Sequence, residues 1–304
     1  MAEITQRDGT WSFDGETLRL VPGHSRGVHP LRTSLGEVAV PLAAIAALSW
    51  ERGRKGGRLR LRLRDGADPL SQAARGHLPD SADPYQLAVA EDRTGAAEVL
   101  AEEVRRALLL AEVPDGPCTR YLLPGPNVPL TASGTDGTAT FDGERVVLRW
   151  NWLASERKRA LGDQELPLSD LVGVEWTPAI GLENGSLRFR VTGASPAAKP
   201  EHDPHSLVLW GVRHARETSG ALLAAAVLAR LPHPLGGAAS ERSTSTEQPA
   251  PPPAEAAGGP SAGDSGEDHD VLLRRLRELG ELHREGVLTA EEFAAAKKAV
   301  LDRF

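Results

Sequence analysis

Seven basic residues between positions 52 and 64 are the strongest chemical feature of this sequence. They are Arg52, Arg54 and Lys55 in a turn, followed by Arg58, Arg60, Arg62 and Arg64 along a strand. Because side chains alternate along a strand, the last four share one face and the intervening leucines share the other. Guanidinium groups grip phosphates bidentately, so this row predicts an anion site for a lipid headgroup, a phosphorylated peptide or a nucleic-acid backbone. The commoner alternative is a solvated outer face that is balanced by neighbouring acids.

A second group of polar residues has the composition of a metal site. His202 and His205 flank Asp203, and His214 follows nearby. Such residues bind zinc when a rigid element fixes their geometry. These residues instead follow a proline at the junction of a loop and a strand. We therefore interpret them as surface histidines and expect no metal.

Other reactive or aromatic side chains give no enzymatic pattern. Trp150, Trp152 and Trp210 could stack on a ligand, but tryptophans in alternating strands usually pack in a core or on a sheet face. Cys118 follows a proline with no evident base and is interpreted as inert. The sequence has no Gly-x-Ser-x-Gly elbow and no phosphate-binding glycine loop before a helix. We expect a protein that is not an enzyme and needs no cofactor.

The elements that carry these residues occur twice. The segment from Asp8 to Glu16 returns as Asp136 to Glu144, and the stretches that follow match in the same order. The Gly57–Arg62 strand, for example, corresponds to 185–190. A repeat of more than a hundred residues is too long for a solenoid and has the size of a domain. The chain is therefore predicted to contain two tandem domains of one kind.

Each repeat predicts several antiparallel strands followed by one helix. An Asp-Gly pair, Asp14-Gly15 or Asp142-Gly143, is typical of a hairpin turn. The terminal helix is predicted to begin at Thr94 in the first repeat and near Thr218 or Ser219 in the second. The fold class is mainly β with terminal helices. Each repeat is expected to be a small, partly open barrel closed by a helix, the pleckstrin-homology-like (PH-like) plan.

Composition and charge restrict the classes of protein that fit. The 304 residues include 40% hydrophobic and 25% charged residues, with a net charge of -7 and one cysteine. This balance argues against a nucleic-acid partner, and the single cysteine excludes an internal disulfide. The N-terminus lacks a signal-peptide pattern, and the longest apolar run, 221–229, is too short to span a bilayer. We expect a soluble cytoplasmic protein.

The end of the chain changes character at residue 235. Residues 235–268 are rich in proline, glycine and serine and predict a disordered linker. Residues 269–304 predict two amphipathic helices, with a capping box from Thr289 to Glu292. Their apolar stripe consists of Leu272, Leu276, Leu279, Leu282, Leu288, Phe293, Val300 and Leu301. So small a core usually needs association to be stable, which predicts self-association or a protein partner.

These patterns together divide the chain into five segments. They are a first repeat (1–112), an inter-repeat linker (113–129), a second repeat (130–234), a disordered linker (235–268) and a helical hairpin (269–304).

The sequence also resembles a known family. The Phe-Asp-Gly hairpins, the Pro-Leu segments leading to Trp50 and Trp176, and the strands at 57–62 and 185–190 look like an uncharacterised bacterial family of PH-like domains. Residues 276–301 are similar to its short C-terminal module, SHOCT, which implies oligomerisation. The resemblance implies no established activity, but two similar small barrels joined to an association hairpin predict a binding or scaffold protein with two PH-like modules. A peripheral sensor that binds anionic membrane through the basic strand is the alternative.

Overall fold

The computed structural model describes residues 2–179, 183–194, 199–209 and 214–236, with the backbone alone at 214–218. Residues Met1–Thr244 form one compact unit that contains both repeats. The predicted C-terminal hairpin with its eight apolar association residues lies outside the described residues. So do Trp210 and nearly all of the 235–268 linker.

The first repeat consists of two antiparallel sheets and a terminal helix. Its strands pair in the orders β1-β2-β3-β4 and β5-β6-β7. In chain order its elements are β1 (Ala2–Gln6), β2 (Gly9–Phe13), β3 (Thr17–Pro22), α1 (Pro30–Leu35), β4 (Val38–Pro41), β5 (Ile45–Gly53), β6 (Gly56–Leu63), α2 (Pro69–Ala74), β7 (Gln86–Val89) and α3 (Thr94–Leu110).

The second repeat has the same order of strands and pairs them in the same way, as β8-β9-β10-β11 and β12-β13-β14. Its elements are β8 (Leu130–Ser133), β9 (Gly137–Phe141), β10 (Arg145–Trp150), α4 (Glu156–Leu161), β11 (Gln164–Pro167), β12 (Leu171–Thr177), β13 (Gly185–Val191), β14 (Ser206–Leu209) and α5 (His214–Leu228). The predicted duplication and the mainly β class are confirmed. The four sheets do not close into a barrel within the described ranges.

The two predicted hairpin turns form in the same way. Gly15 and Gly143 take positive φ angles of 108° and 111°, which a side chain would disfavour. The Asp14 carboxylate accepts hydrogen bonds from the backbone N–H groups of Glu16 and Thr17 at 2.9 and 2.8 Å. Asp142 does the same in the second repeat. The aspartate therefore closes the turn through its side chain, and only the glycine needs the unusual backbone angle.

Several elements differ from the sequence-based expectation. Helix α3 begins at Thr94 as predicted, but Arg93 and not Thr94 is the cap residue, and Thr94 donates its hydroxyl to the Glu91 carbonyl. Helix α5 begins at His214, four residues before Thr218. The first strands, β1 and β8, and the short helices α1, α2 and α4 were not predicted. A six-residue helix has too few turns to produce a recognisable apolar period.

Helix α2 joins the two repeats. Its apolar residues Leu70, Ala73 and Ala74 belong to the hydrophobic core of the second repeat, although they come from the first. They pack on α5, where every residue from Ala221 to Val227 is buried. A helix that is apolar on all sides must be covered on all sides. The sheets of the second repeat cover one side of α5, and α1 and α2 cover the other.

Within the described residues, no helix is long and apolar enough to cross a membrane.

Truncating Leu70 tests this shared core. We expect Leu70→Ala to lower the free energy of unfolding by about 2–5 kcal/mol, the range for a leucine removed from a packed core. Leu70 is 1% exposed, whereas Leu109 on α3 is 74% exposed and serves as the matched control. Leu109→Ala should change stability by less than about 0.5 kcal/mol. Urea unfolding followed by tryptophan fluorescence measures both, and equal losses would contradict the shared core.

Candidate functional site

The basic strand is β6, and its two faces separate as predicted. Leu59 and Leu61 are buried in the core of the first repeat, while Arg60 and Arg62 are exposed on the opposite face. β6 lies between β5 and β7, so its arginines project from the middle of a three-stranded sheet. The backbone thus presents a row of guanidinium groups outward, as a binding face requires.

Three of the four strand arginines are already engaged by the protein. Arg58 forms an ion pair with Asp80 and donates to the Gln86 side chain at 2.8 Å. Arg60 lies 3.3 Å from the Glu51 carboxylate. Arg64 donates to the backbone carbonyls of residues 43 and 116 at 2.7 to 3.0 Å. The hydrogen bond from Arg58 also lowers the pKa of Asp80, so that carboxylate stays charged and balances the charge of Arg58.

Arg62 lies on the outer face of β6, and the other three basic residues lie at the tip of the β5–β6 hairpin. Gly53 pairs with Gly56, so Arg54 and Lys55 form the two-residue turn between the strands. Arg52 pairs with Gly57 and lies on the face of β5 that also carries Trp50. Within the described part of the chain, Arg52, Arg54, Lys55 and Arg62 form no ion pair. The seven candidates therefore divide between the hairpin tip and the outer face and end of β6.

A cleft of about 590 Å³ adjoins this outer face. It lies between the end of β6, helix α2 and the segment that follows α5, and Arg60, Arg62 and His233 contribute to its lining. The acidic residues Asp65, Asp80 and Asp83 line it as well. Positive and negative groups are therefore mixed along its walls, and the cleft has no strong preference for an anion.

The carboxylate at the base of the cleft, Asp68, has a structural role. It caps α2 by accepting from the N–H groups of Leu70 and Ser71 and from the Ser71 hydroxyl, and it also accepts from the Tyr85 hydroxyl at 2.7 Å. Burial raises the pKa of Asp68, and these hydrogen bonds oppose the rise. Its acceptor sites are used, so it holds α2 in place and is not free to act as a base.

Nearby contacts fix the inter-repeat linker against the cleft. The Leu235 N–H donates to Nδ1 of His233, so Nε2 carries the proton and donates to the Gly66 carbonyl at 3.0 Å. Tyr121 packs edge-on against the His233 ring and donates to the Gln72 side chain. The linker and the end of the second repeat are thereby attached to the loop before α2. Burial also raises the pKa of Tyr121 to about 12.

A buried charge pair in the second repeat was missed by sequence reasoning. Lys158 on α4 is fully buried, and its ammonium group donates to Asp136 and to the carbonyls of residues 200 and 206. It also lies 4.6 Å from the centre of the Trp150 ring. All three ammonium protons thus have acceptors, which favours the charged pair. Burial lowers the pKa of Lys158 and raises that of Asp136, and their attraction opposes both shifts.

The first repeat has a counterpart of this pair. Arg32 lies three residues after the cap of α1, as Lys158 lies three residues after the cap of α4. It is buried, and the carboxylates of Asp8 and Asp83 counteract the lowering of its pKa by burial. Asp8 corresponds to Asp136 when the repeats are aligned, and this equivalence is visible in the sequence. The cations were not recognisable, because the helices that carry them were not predicted.

Of the other candidates, those whose side chains the structure describes do not assemble into a metal site. Among the described residues, no group of three or more His, Cys, Asp or Glu could hold a metal ion. The Asp203 carboxylate accepts from the His205 N–H and pairs with Arg188. Trp150 is half-buried, and Trp152 is 64% exposed. Cys118 is buried, and its N–H donates to the Asp65 carbonyl.

Comparison with known families agrees with the duplicated architecture. The family described as Domain of unknown function (DUF4429) matches residues 11–105 and 139–228. The chain belongs to this family. A second family, described as Short C-terminal domain (SHOCT), matches residues 274–301, which confirms the resemblance at the end of the chain. No curated protein matches the sequence. The family match covers one copy of the strand and helix pattern in each repeat.

The buried pair generates a stability prediction. Lys158→Met should lower the free energy of unfolding by about 3–5 kcal/mol, because it leaves the Asp136 carboxylate buried without its cation. Lys158→Met combined with Asp136→Asn removes both charges and should recover part of the loss. Denaturant unfolding at pH 7 measures the difference. A double variant as unstable as the single one would contradict a penalty from unpaired charge.

The same variant has an expected pH dependence. Without Lys158, the pKa of Asp136 in the folded state lies above its unfolded value, so the folded state binds the proton more tightly. Stability contributed by such a group is present at low pH and is lost as the pH rises through the folded pKa. The deficit of Lys158→Met relative to the natural protein should therefore shrink on acidification, as measured by unfolding at a series of pH values.

Proposed function

We propose that this chain is a non-enzymatic binding and scaffold protein. Two PH-like modules, fused through α2, form a rigid platform, and the SHOCT segment brings copies of the chain or a partner together. The observation that carries the proposal is the shared core: α2 of one module is part of the interior of the other. Two modules held in one orientation can present two surfaces to the same target, which raises effective concentration.

The arrangement of elements supports the PH-like assignment. Each repeat has a four-stranded antiparallel sheet, then a three-stranded one, then a helix that packs on the sheets. Two open sheets covered by a terminal helix have loops and edge strands that can bind a partner, which suits an interaction module. The engaged arginines and the capped Asp68 are consistent with a structural use of the polar groups around the cleft.

Removing the tail tests the scaffold role. We expect a chain that ends before Asp268 to form particles with fewer chains than the full chain does at the same concentration. The number of chains is the mass from light scattering divided by the mass of one chain. The apolar stripe from Leu272 to Leu301 would otherwise be exposed, and association buries it. Replacing Leu276 and Leu279 by Asp in the full chain should have the same effect. If neither change lowers the number of chains in each particle, self-association through the tail is overturned.

A peripheral anion-binding role is the second candidate. The hairpin tip favours it, because Arg52, Arg54 and Lys55 are exposed and form no ion pair among the described residues. Cations near an anionic bilayer each contribute about 1 kcal/mol of attraction. Arg58 and Arg64, which already bind protein groups, should contribute least to the attraction for an anionic surface, and the residues of the tip should contribute most.

Charge reversal at the tip tests this second role. We expect Arg54→Glu with Lys55→Glu to weaken binding to phosphatidylserine-containing vesicles about tenfold or more, with the remaining binding lost at high salt. Arg26→Glu with Arg106→Glu changes the net charge equally at exposed positions away from the tip, and should have a much smaller effect. Co-sedimentation measures both. Equal binding by the two double variants would exclude the tip as the membrane contact.

A further inference from the structure

The contact between the repeats defines two complementary surfaces. One consists of α1 and α2 of the first repeat, and the other is the outer side of α5 in the second. Leu31 is completely buried in this contact, and Leu35 packs against the same core. Because the repeats are copies of each other, α1 and α5 each have a counterpart in the other repeat, whereas the described part of the second repeat has no counterpart of α2.

The counterpart of α1 is α4, at the free side of the second repeat. Both helices have six residues and end at a glycine with φ near 72°, Gly36 and Gly162. In this alignment Leu161 occupies the place of Leu35, and Arg157 that of Leu31. Leu161 is 54% exposed, and Trp152, just before α4, is also exposed. Large exposed apolar side chains of this kind serve as anchors in protein interfaces.

The counterpart of α5 is α3, at the free side of the first repeat. Its inner face packs on its own sheet, but Val99, Leu109 and Leu110 are exposed. A groove of about 350 Å³ lies between β5 and the end of α3, and Leu108 and Leu109 line it. The equivalent groove of the second repeat, between β12 and α5, is in contact with α2. The first repeat therefore has an open version of a surface that is occupied in the second.

The charges of these two free surfaces are opposite. Residues 91–115, which include α3, contain seven acidic residues and three arginines. On α4, two exposed arginines, Arg157 and Arg159, outnumber one exposed acid, Glu156, which leaves one net positive charge, whereas the third cation, Lys158, is buried and paired. The contact inside the chain has no such charges, because α5 is uncharged from Ala221 to Leu228. Opposite charges on the two free surfaces favour one partner orientation over others.

We infer that α4 of one molecule docks on α3 of a second copy of this chain, and so repeats the contact that α1 makes with α5. Leu161 and Trp152 supply the apolar anchors, and Arg157 and Arg159 face the acidic α3. The two surfaces differ, so the contact is head-to-tail and can extend to further copies or close into a ring. It deepens the proposed scaffold role but uses surfaces apart from the SHOCT tail.

Site-specific crosslinking of the full chain tests this contact. Leu109→Cys and Leu161→Cys chains, one with a larger tag, are mixed and treated with a short bismaleimide. The natural Cys118 is buried and should react little. The unsubstituted chain under the same treatment measures any crosslinking that Cys118 still gives. A matched control carries Val21→Cys, an exposed position on β3. We expect the yield of the crosslink between positions 109 and 161 to be about ten times the yield of any crosslink to the control chain, because docking raises the local thiol concentration.

The pattern of products decides the outcome. Head-to-tail docking gives crosslinks in the mixture, few in either variant alone, and a ladder of multimers from a chain with both substitutions. Equal yields for Leu109→Cys alone and for the mixture would overturn it in favour of a symmetric dimer, and yields no higher than the control would overturn it entirely. Association through the tail alone would join thiols without preference, so this result is separate from the truncation experiment.

The charge pairing has its own readout. Adding Arg157→Glu and Arg159→Glu to the Leu161→Cys chain should lower the yield of the mixed crosslink about tenfold, and high salt should lower it in the pair without these reversals. Arg120→Glu with Arg149→Glu, which reverses two exposed arginines outside α4, is the control and should leave the yield near its original value. An unchanged yield after reversal on α4 would overturn the assignment of α4 as the docking helix.

Discussion

The architecture depends on the burial of α5 on all of its sides. The helix has no charged residue from Ala221 to Leu228, so neither side of that stretch can face water at low cost. One side packs on the sheets of its own repeat. The other is covered by a short helix from the first repeat, which the Asp68 carboxylate caps and the Tyr85 hydroxyl anchors. Two copies of a domain thereby become one compact unit, with a relative orientation fixed by packing.

The same contact explains why the two copies differ. Helix α3 carries Glu98, Glu102 and Arg105 on the side that faces solvent, whereas α5 has alanine and leucine where its outer side is covered. The insertion between β6 and β7 is present in the repeat that supplies the cover, and the described part of the other repeat has no such helix. The two repeats thus share a fold, and a helix that is present in the first gives them unequal surfaces.

Polar groups in this protein act largely as supports. Lys158 and Arg32 are buried near carboxylates at equivalent places, and Lys158 also ties α4 to Asp136 and to two backbone carbonyls. Most arginines of this segment bind acids or backbone carbonyls of the protein. A row that predicts an anion site in the sequence is therefore largely used for contacts within the fold. Of the seven basic residues in this segment, the three at the hairpin tip, Arg52, Arg54 and Lys55, form no ion pair among the described residues.

Sequence alone determined the duplication, the hairpin turns, the two faces of β6 and the family, because these depend on residue types at short, regular spacings. The bounds of short helices, the partners of each arginine and the role of α2 depended on the tertiary structure. Leu70 looks like one residue of a surface insertion until the neighbouring repeat is in place around it. Its burial depends on residues about 150 positions away in the chain, and no local pattern records which distant surface an apolar helix will cover.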